Sequence, residues 1–164
     1  MRAAIYNPYL DTLGGGERYT MTVAHVLKKH GWDGEVAWKD SKILGLLEER
    51  LGIDLTGVEV VPDISKGAGY DFIFWLSDAS IPMLFGKKNI LHFQTPFHDI
   101  GGKSFFNKLK LLKINCIVCN SRFTKNFIDK EYGVKSVVIY PPVAVEEFAP
   151  TKKENIILSV GRFS

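Results

Sequence analysis

The sequence predicts an α/β protein built on a doubly wound parallel sheet of the Rossmann-like kind. Short apolar runs alternate with segments of helical spacing along most of the chain. The run from Asp71 to Leu76 is apolar on both faces, as a central strand covered on both sides requires. A glycine cluster, Gly14-Gly15-Gly16, stands where a first strand hands over to a first helix.

The first strand is Ala3 to Tyr6, closed by Asn7-Pro8. Behind the glycines, Tyr19, Val23, Val26, Leu27 and His30 recur at helical spacing, and Gly31 supplies the stop. Three residues without Cβ leave the backbone free to take positive φ and to admit a ligand closely. The first N–H groups of the helix point unpaired into the same space, which predicts an anion site. The G-x-G-x-x-G fingerprint is not met, because Tyr19 stands at the third place, and no Gly-Lys-Ser/Thr follows. A plain turn joining strand to helix is the competing reading of the glycines.

Glu35 to Trp38 is the second strand. Ser41 is the expected cap of a helix with Ile43, Leu44, Leu47 and Leu51 on one face, closed by Gly52. Val58 to Val61 is the third strand and Asp71 to Leu76 the fourth. A short helix or loop spans Ser77 to Phe85. Asn89 to Phe93 is the fifth strand, broken by Gln94-Thr95-Pro96. Lys103 to Ile114 reads as a helix with Phe105, Leu109 and Leu112 on one side. Cys116 to Cys119 is the sixth strand, Ser121 caps a helix ending at Gly133, and Ser136 to Tyr140 is the seventh strand. Ligands of such sheets bind at the carboxyl ends of the strands. The segments Gly14 to Glu17, Ser77 to Ser80 and His92 to Thr95 should therefore gather on one rim.

With 164 residues, 46% apolar and 24% charged, the chain suits one full core and is not a disordered composition. No apolar run approaches membrane-spanning length, and the N-terminus lacks a secretory signal, so a cytoplasmic location is expected. A net charge of +3 makes no case for nucleic acid. Cys116 and Cys119 form a C-x-x-C, but residues three apart on a strand face opposite sides, so the thiols should not meet. No second pair completes a zinc set, and no metal is expected.

After Pro141-Pro142-Val143 the composition shifts. Residues 1–143 form the main domain, 144–155 a polar linker, and 156–164 begin with a buried strand from Ile156 to Val160. A strand opening a new unit suggests the amino-terminal part of a longer chain.

Four features together resemble the amino-terminal domain of GT-B glycosyltransferases, most closely glycosyltransferase family 4. They are the Gly14 to Glu17 loop, His92 closing strand five, the run from Val118 to Lys125, and Pro141-Pro142-Val143 followed by Leu158-Ser159-Val160-Gly161-Arg162. The resemblance implies a retaining, metal-free transfer of a sugar from a nucleotide sugar (UDP or GDP) to a saccharide or lipid-linked acceptor. In that family the amino-terminal domain holds mainly the acceptor, and the chain's own carboxy-terminal domain holds most of the donor.

By the same resemblance, His92 is the catalytic-site histidine beside the reacting sugar. Gly14, Gly15, Gly16, Glu17, Gln94 and Thr95 face donor phosphates or acceptor, and Arg162 is the phosphate-binding arginine. Glu17 either accepts acceptor hydroxyls or only favours the helix start by its charge. Arg122 and Lys125 read as a solvated helix face.

The segment 103–113 carries four lysines among large apolar residues, which raises peripheral membrane contact. Core packing through Phe105, Leu109 and Leu112 is the competing explanation. For the whole chain, the alternative to a transferase is a stand-alone nucleotide- or sugar-binding module without catalysis. A dehydrogenase, with Asp40 as ribose ligand, is the third reading.

Overall fold

The structure, a computed structural model, describes residues 1–145 and 148–159. The elements are β1 (Arg2–Tyr6), α1 (Gly15–Lys29), β2 (Asp33–Ala37), α2 (Lys42–Leu51), β3 (Glu59–Val61) and β4 (Phe72–Leu76). They continue as β5 (Lys88–Phe93), α3 (Phe105–Leu111), β6 (Cys116–Cys119), α4 (Arg122–Tyr132) and β7 (Val137–Val138). Single 3-10 turns occur at Leu10–Thr12 and Ser65–Gly67.

The strands form one seven-stranded sheet in the order β3-β2-β1-β4-β5-β6-β7, every pair parallel. This is the doubly wound arrangement the sequence predicts. The chain winds outward from β1 to β3, then crosses back to lay β4 beside β1. The strand order therefore reverses between β1 and β4, and the loops leaving those two strands diverge around a crevice.

The two faces of the sheet are covered separately. On one, Ile5, Val36 and Phe74 lie beneath Tyr19, Met21 and Ala24 of α1 and Leu47 of α2. On the other, Leu91, Phe93, Ile117 and Cys119 pack against Ile128 and Tyr132 of α4 and Leu111 of α3. Gly52 and Gly133 end α2 and α4 in the left-handed conformation, at φ 63° and 68°, which residues with a Cβ reach only at a cost.

Several local expectations need correction. Ser41 does not cap α2: its backbone is already helical, and Asp40 Oδ1 accepts the Lys42 N–H at 3.0 Å. Residues 77–85 form a loop, the second of the two forms expected there, and need no correction. The seventh strand is two residues long, and Ile139 and Tyr140 are exposed.

The largest departure is α3. It spans seven residues rather than twelve or so, and none of them is buried. Phe105, Phe106 and Leu112 are 69%, 72% and 81% exposed. Ser104 caps the start, and 3-10 bonds from Lys113 and Ile114 tighten the end. Leu111 and Ile114, three apart, are the residues that reach the core. Helical spacing had identified an apolar stripe but not which way it faces.

Ile156, Ile157 and Leu158 are exposed and join no ladder among the described residues. The rest of the expected strand 156–160, and Arg162, lie outside them. No helix among the described residues is long and apolar enough to cross a membrane.

Candidate functional site

The loops leaving β1, β4 and β5 meet above the point of strand reversal and enclose a cavity of about 300 Å³. Its walls are Tyr9 and Glu17 after β1, Leu76, Ser77 and Asp78 from β4, and Gln94, Thr95 and Phe97 after β5. All three rim segments picked out by the sequence thus contribute to one site.

None of the three glycines lines the cavity; they flank it at the start of α1, and their conformations differ from expectation. Gly14 is extended, and Gly15 and Gly16 form the first turn of α1, all without positive φ; that conformation falls instead on Leu13 at φ 49°. A Cβ on Gly15 would meet nothing within 4 Å, so the backbone there is open to an approaching group. A Cβ on Gly16 would stand 2.6 Å from Gln94 Oε1, and Gln94 Nε2 donates to the Gly16 carbonyl at 3.3 Å. Gly16 is therefore small to seat the Gln94 amide on the helix start. The N–H groups of Gly15 and Gly16 have no acceptor among the described residues, as a helix start leaves them.

Glu17 is 3% exposed and bonded to the chain's own donors. Oε2 accepts from the Gly14 N–H and the Thr12 hydroxyl, both at 2.7 Å, and Oε1 accepts from Asn7 Nδ2 at 3.3 Å. It closes the helix start by accepting the N-cap N–H, the half of a capping box that a glycine N-cap leaves possible. A carboxylate has about four acceptor positions, so one remains for the cavity.

Asp78 is the exposed carboxylate of the site. The Ser80 hydroxyl donates to Oδ1 at 2.6 Å and holds the acid below the usual carboxylate range. The turn is tight: Ala79 sits at φ 85°, its carbonyl accepting from the Tyr132 hydroxyl, and Ser77 Oγ donates to the Ser80 carbonyl at 2.8 Å. Across the cavity, Asn120 Nδ2 donates to the Gln94 carbonyl at 2.9 Å, and Thr124 Oγ1 donates to Asn120 Oδ1 at 2.8 Å. The Asn120-Ser121 turn after β6 thereby fixes the backbone that carries Gln94 and Thr95.

His92 does not line the cavity. It is fully buried on the α1 face of β5, with its ring stacked on Tyr19 at 4.2 Å and tilted against Phe74 at 5.2 Å. Nδ1 lies 3.1 Å from the Val118 carbonyl, which can only accept, so the imidazole carries its proton there. Nε2 is buried with no partner among the described residues. Burial pushes the pKa down to about 4, so the ring is neutral near pH 7. Tyr19 closes over it, its hydroxyl donating to the Ile139 carbonyl at 2.9 Å.

Cys116 and Cys119 are both free, as their placement on β6 predicts. Lys125 is not simply solvated: Nζ bonds Asp129 and the Ser136 carbonyl, tying α4 to the start of β7. Asp40, the ribose ligand of the dehydrogenase reading, is the α2 cap described above. Tyr9, Phe97 and the buried Asn7 escaped sequence reasoning. Asn7 bonds Thr20 at 3.0 Å and takes the Tyr9 N–H at 2.8 Å, and the only signal was its place beside Pro8.

A larger hollow of about 420 Å³ lies beside His98, Phe127 and Glu131. The Glu131 carboxylate there is already taken by the N–H groups of Asp99, Ile100 and Gly102. The rim cavity is the better site, because its polar groups converge on open space. It carries two carboxylates and an amide, and none of its lining residues is Lys, Arg or His. Such a wall accepts hydrogen bonds from hydroxyls and repels phosphate. No cluster of three His, Cys, Asp or Glu side chains that could hold a metal ion occurs among the described residues.

No protein-family model matches the chain, and searches against curated proteins and against solved structures return no match.

Proposed function

We propose that the chain is the acceptor-side domain of a retaining glycosyltransferase. It would move a sugar from a UDP- or GDP-sugar to a saccharide or lipid-linked acceptor, in the manner of glycosyltransferase family 4. The observation that carries this is the carboxylate-lined, cation-free cavity at the point of strand reversal. A polyhydroxylated ligand donates to Asp78 and to the remaining position on Glu17, while the Gln94 amide both donates and accepts. The rings of Tyr9 and Phe97 offer apolar surface to the C–H face of a pyranose.

The donor's phosphates do not suit that wall. They fit the open N–H groups at Gly15 and Gly16, where fixed dipoles favour the charge that develops as the nucleotide diphosphate departs. The remaining donor contacts, Arg162 included, belong to the carboxy-terminal part of this reading.

The test has two arms. Simple saccharides titrated into the chain should shift the amide signals of Gln94 and Thr95, and Asp78→Asn should weaken the response. No shift at millimolar saccharide would remove the cavity's assigned role. In the second arm, the full-length gene product is supplied with labelled UDP- and GDP-sugars and should release the nucleotide as a glycoside forms.

A second reading is a stand-alone sugar-binding module without catalysis. The sealing of His92 beneath Tyr19 favours it, since the residue expected beside the reacting sugar does not reach the cavity. Saccharide binding without transfer from any nucleotide sugar is its signature.

A further inference from the structure

The exposed α3 segment has a construction of its own. Phe105, Leu109 and Leu112 follow one another at i, i+4 and i+7 and form a single outward arc, with Phe106 on its shoulder. Lys108 and Lys110 fall on the two flanks of that arc, and Lys103 and Lys113 bracket the helix. None of the four lysines forms an ion pair among the described residues. No Asp or Glu occurs anywhere from Ile100 to Ile128.

We propose that this face of α3 docks on an anionic lipid bilayer, with its apolar arc sunk into the headgroup boundary and its flanking lysines on lipid phosphates. Lysine stems run along apolar surface while their ammonium groups reach outward, so lysines beside an inserted arc meet the phosphate layer. A wholly basic stretch complements a negative surface and no neutral one. The segment is also held in place. Glu131 of α4 grips the backbone of residues 99–102 through three N–H groups, and Leu111 anchors the helix to the core. The arc is thereby presented outward on a fixed support, and its four large side chains need no rearrangement to insert. This inference stands apart from the sugar-transfer reading. It is compatible with it, because α3 follows in the chain directly from the cavity residues Thr95 and Phe97.

The experiment is vesicle flotation of the intact chain. One vesicle set is phosphatidylcholine alone, and the other contains about one-third phosphatidylglycerol. The chain should float with the anionic set only, and binding should fall steeply as salt is raised. The double change Lys108→Gln with Lys110→Gln, and separately Phe105→Ser with Phe106→Ser, should each cut binding roughly tenfold or more. The altered side chains are exposed or half-buried, so thermal melts should match the parent and separate lost binding from lost folding. Equal binding to neutral vesicles, no flotation at low salt, or variants that bind like the parent would overturn the proposal. So would a dimer of the parent that the phenylalanine variant abolishes, since a second copy would then be the occupant. Sugar transfer enters none of these readouts.

Discussion

At the scale of single residues, His92 is the position where chemistry and packing diverge. The spacing of the sequence places it at a strand end beside a ligand rim, and the strand does end there. A strand residue points to one face or the other by parity, however, and His92 points under α1 while the rim opens above it. Its ring titrates near the ordinary value of about 6.5 in an unfolded chain and at about 4 when folded. Between those values the unfolded state binds a proton that the native state refuses, so stability falls as pH drops through that window. His92→Phe keeps the stack on Tyr19 and removes the titration. Thermal melts from pH 7 to pH 4 should show an acid limb in the parent that is flatter in the variant, by on the order of 2–4 kcal/mol at the acid end. Parallel profiles would mean the ring is more solvated than its burial indicates.

Ala79 is a second such residue. Its positive φ costs about 1 kcal/mol or more for a side chain with Cβ, and the turn is held against that cost by Tyr132 and Ser77. Ala79→Gly should raise the chemical-denaturation midpoint by an amount equivalent to about 0.5–1 kcal/mol. No sequence signal marks it, because nothing in the run Ser77 to Ser80 distinguishes a strained alanine from an ordinary one.

At the scale of elements, the start of α1 and the seat of β7 each depend on one carboxylate. Glu17 joins the helix start to Asn7 at the end of β1 and to Thr12 in the connecting turn. Glu17→Gln keeps the shape but puts a donor against donors. It should cost about 1–3 kcal/mol in equilibrium unfolding. Asp129 plays the same part for β7, taking the Ser136 N–H at 2.8 Å and its hydroxyl at 2.7 Å. Asp129→Asn should speed hydrogen exchange at Ile139, whose N–H bonds Cys119, more than at β4. The strands and the helices α1, α2 and α4 were legible because burial imposes a period on their residues. The cap of α2 was not, since Asp40 and Ser41 are equally good capping types and only the backbone path decides between them. The facing of α3 was illegible for a related reason: an apolar stripe looks the same in the sequence whether it meets the core or the solvent.

At the scale of the whole molecule, the location of the candidate site was legible and part of its wall was not. The rule that ligands sit where strand order reverses points to three distant stretches, from which Glu17, Ser77, Asp78, Gln94 and Thr95 meet around one cavity while His92 does not. Tyr9 and Phe97 complete the wall through loop shapes that spacing does not encode. The topology also predicts a gradient of protection. Amides of β1, β4 and β5, each paired on both sides, should exchange slowest, and those of β3 and β7 fastest. Amide exchange followed by mass spectrometry checks the order, and slow exchange at β7 would contradict it.

The brevity of those two outermost strands has one more effect. With three and two residues respectively, they offer a neighbouring chain hardly any ladder to zip onto. Fibril growth through the sheet's borders is therefore starved of a template, so crowding should push the chain towards amorphous association before it reaches ordered cross-β stacks.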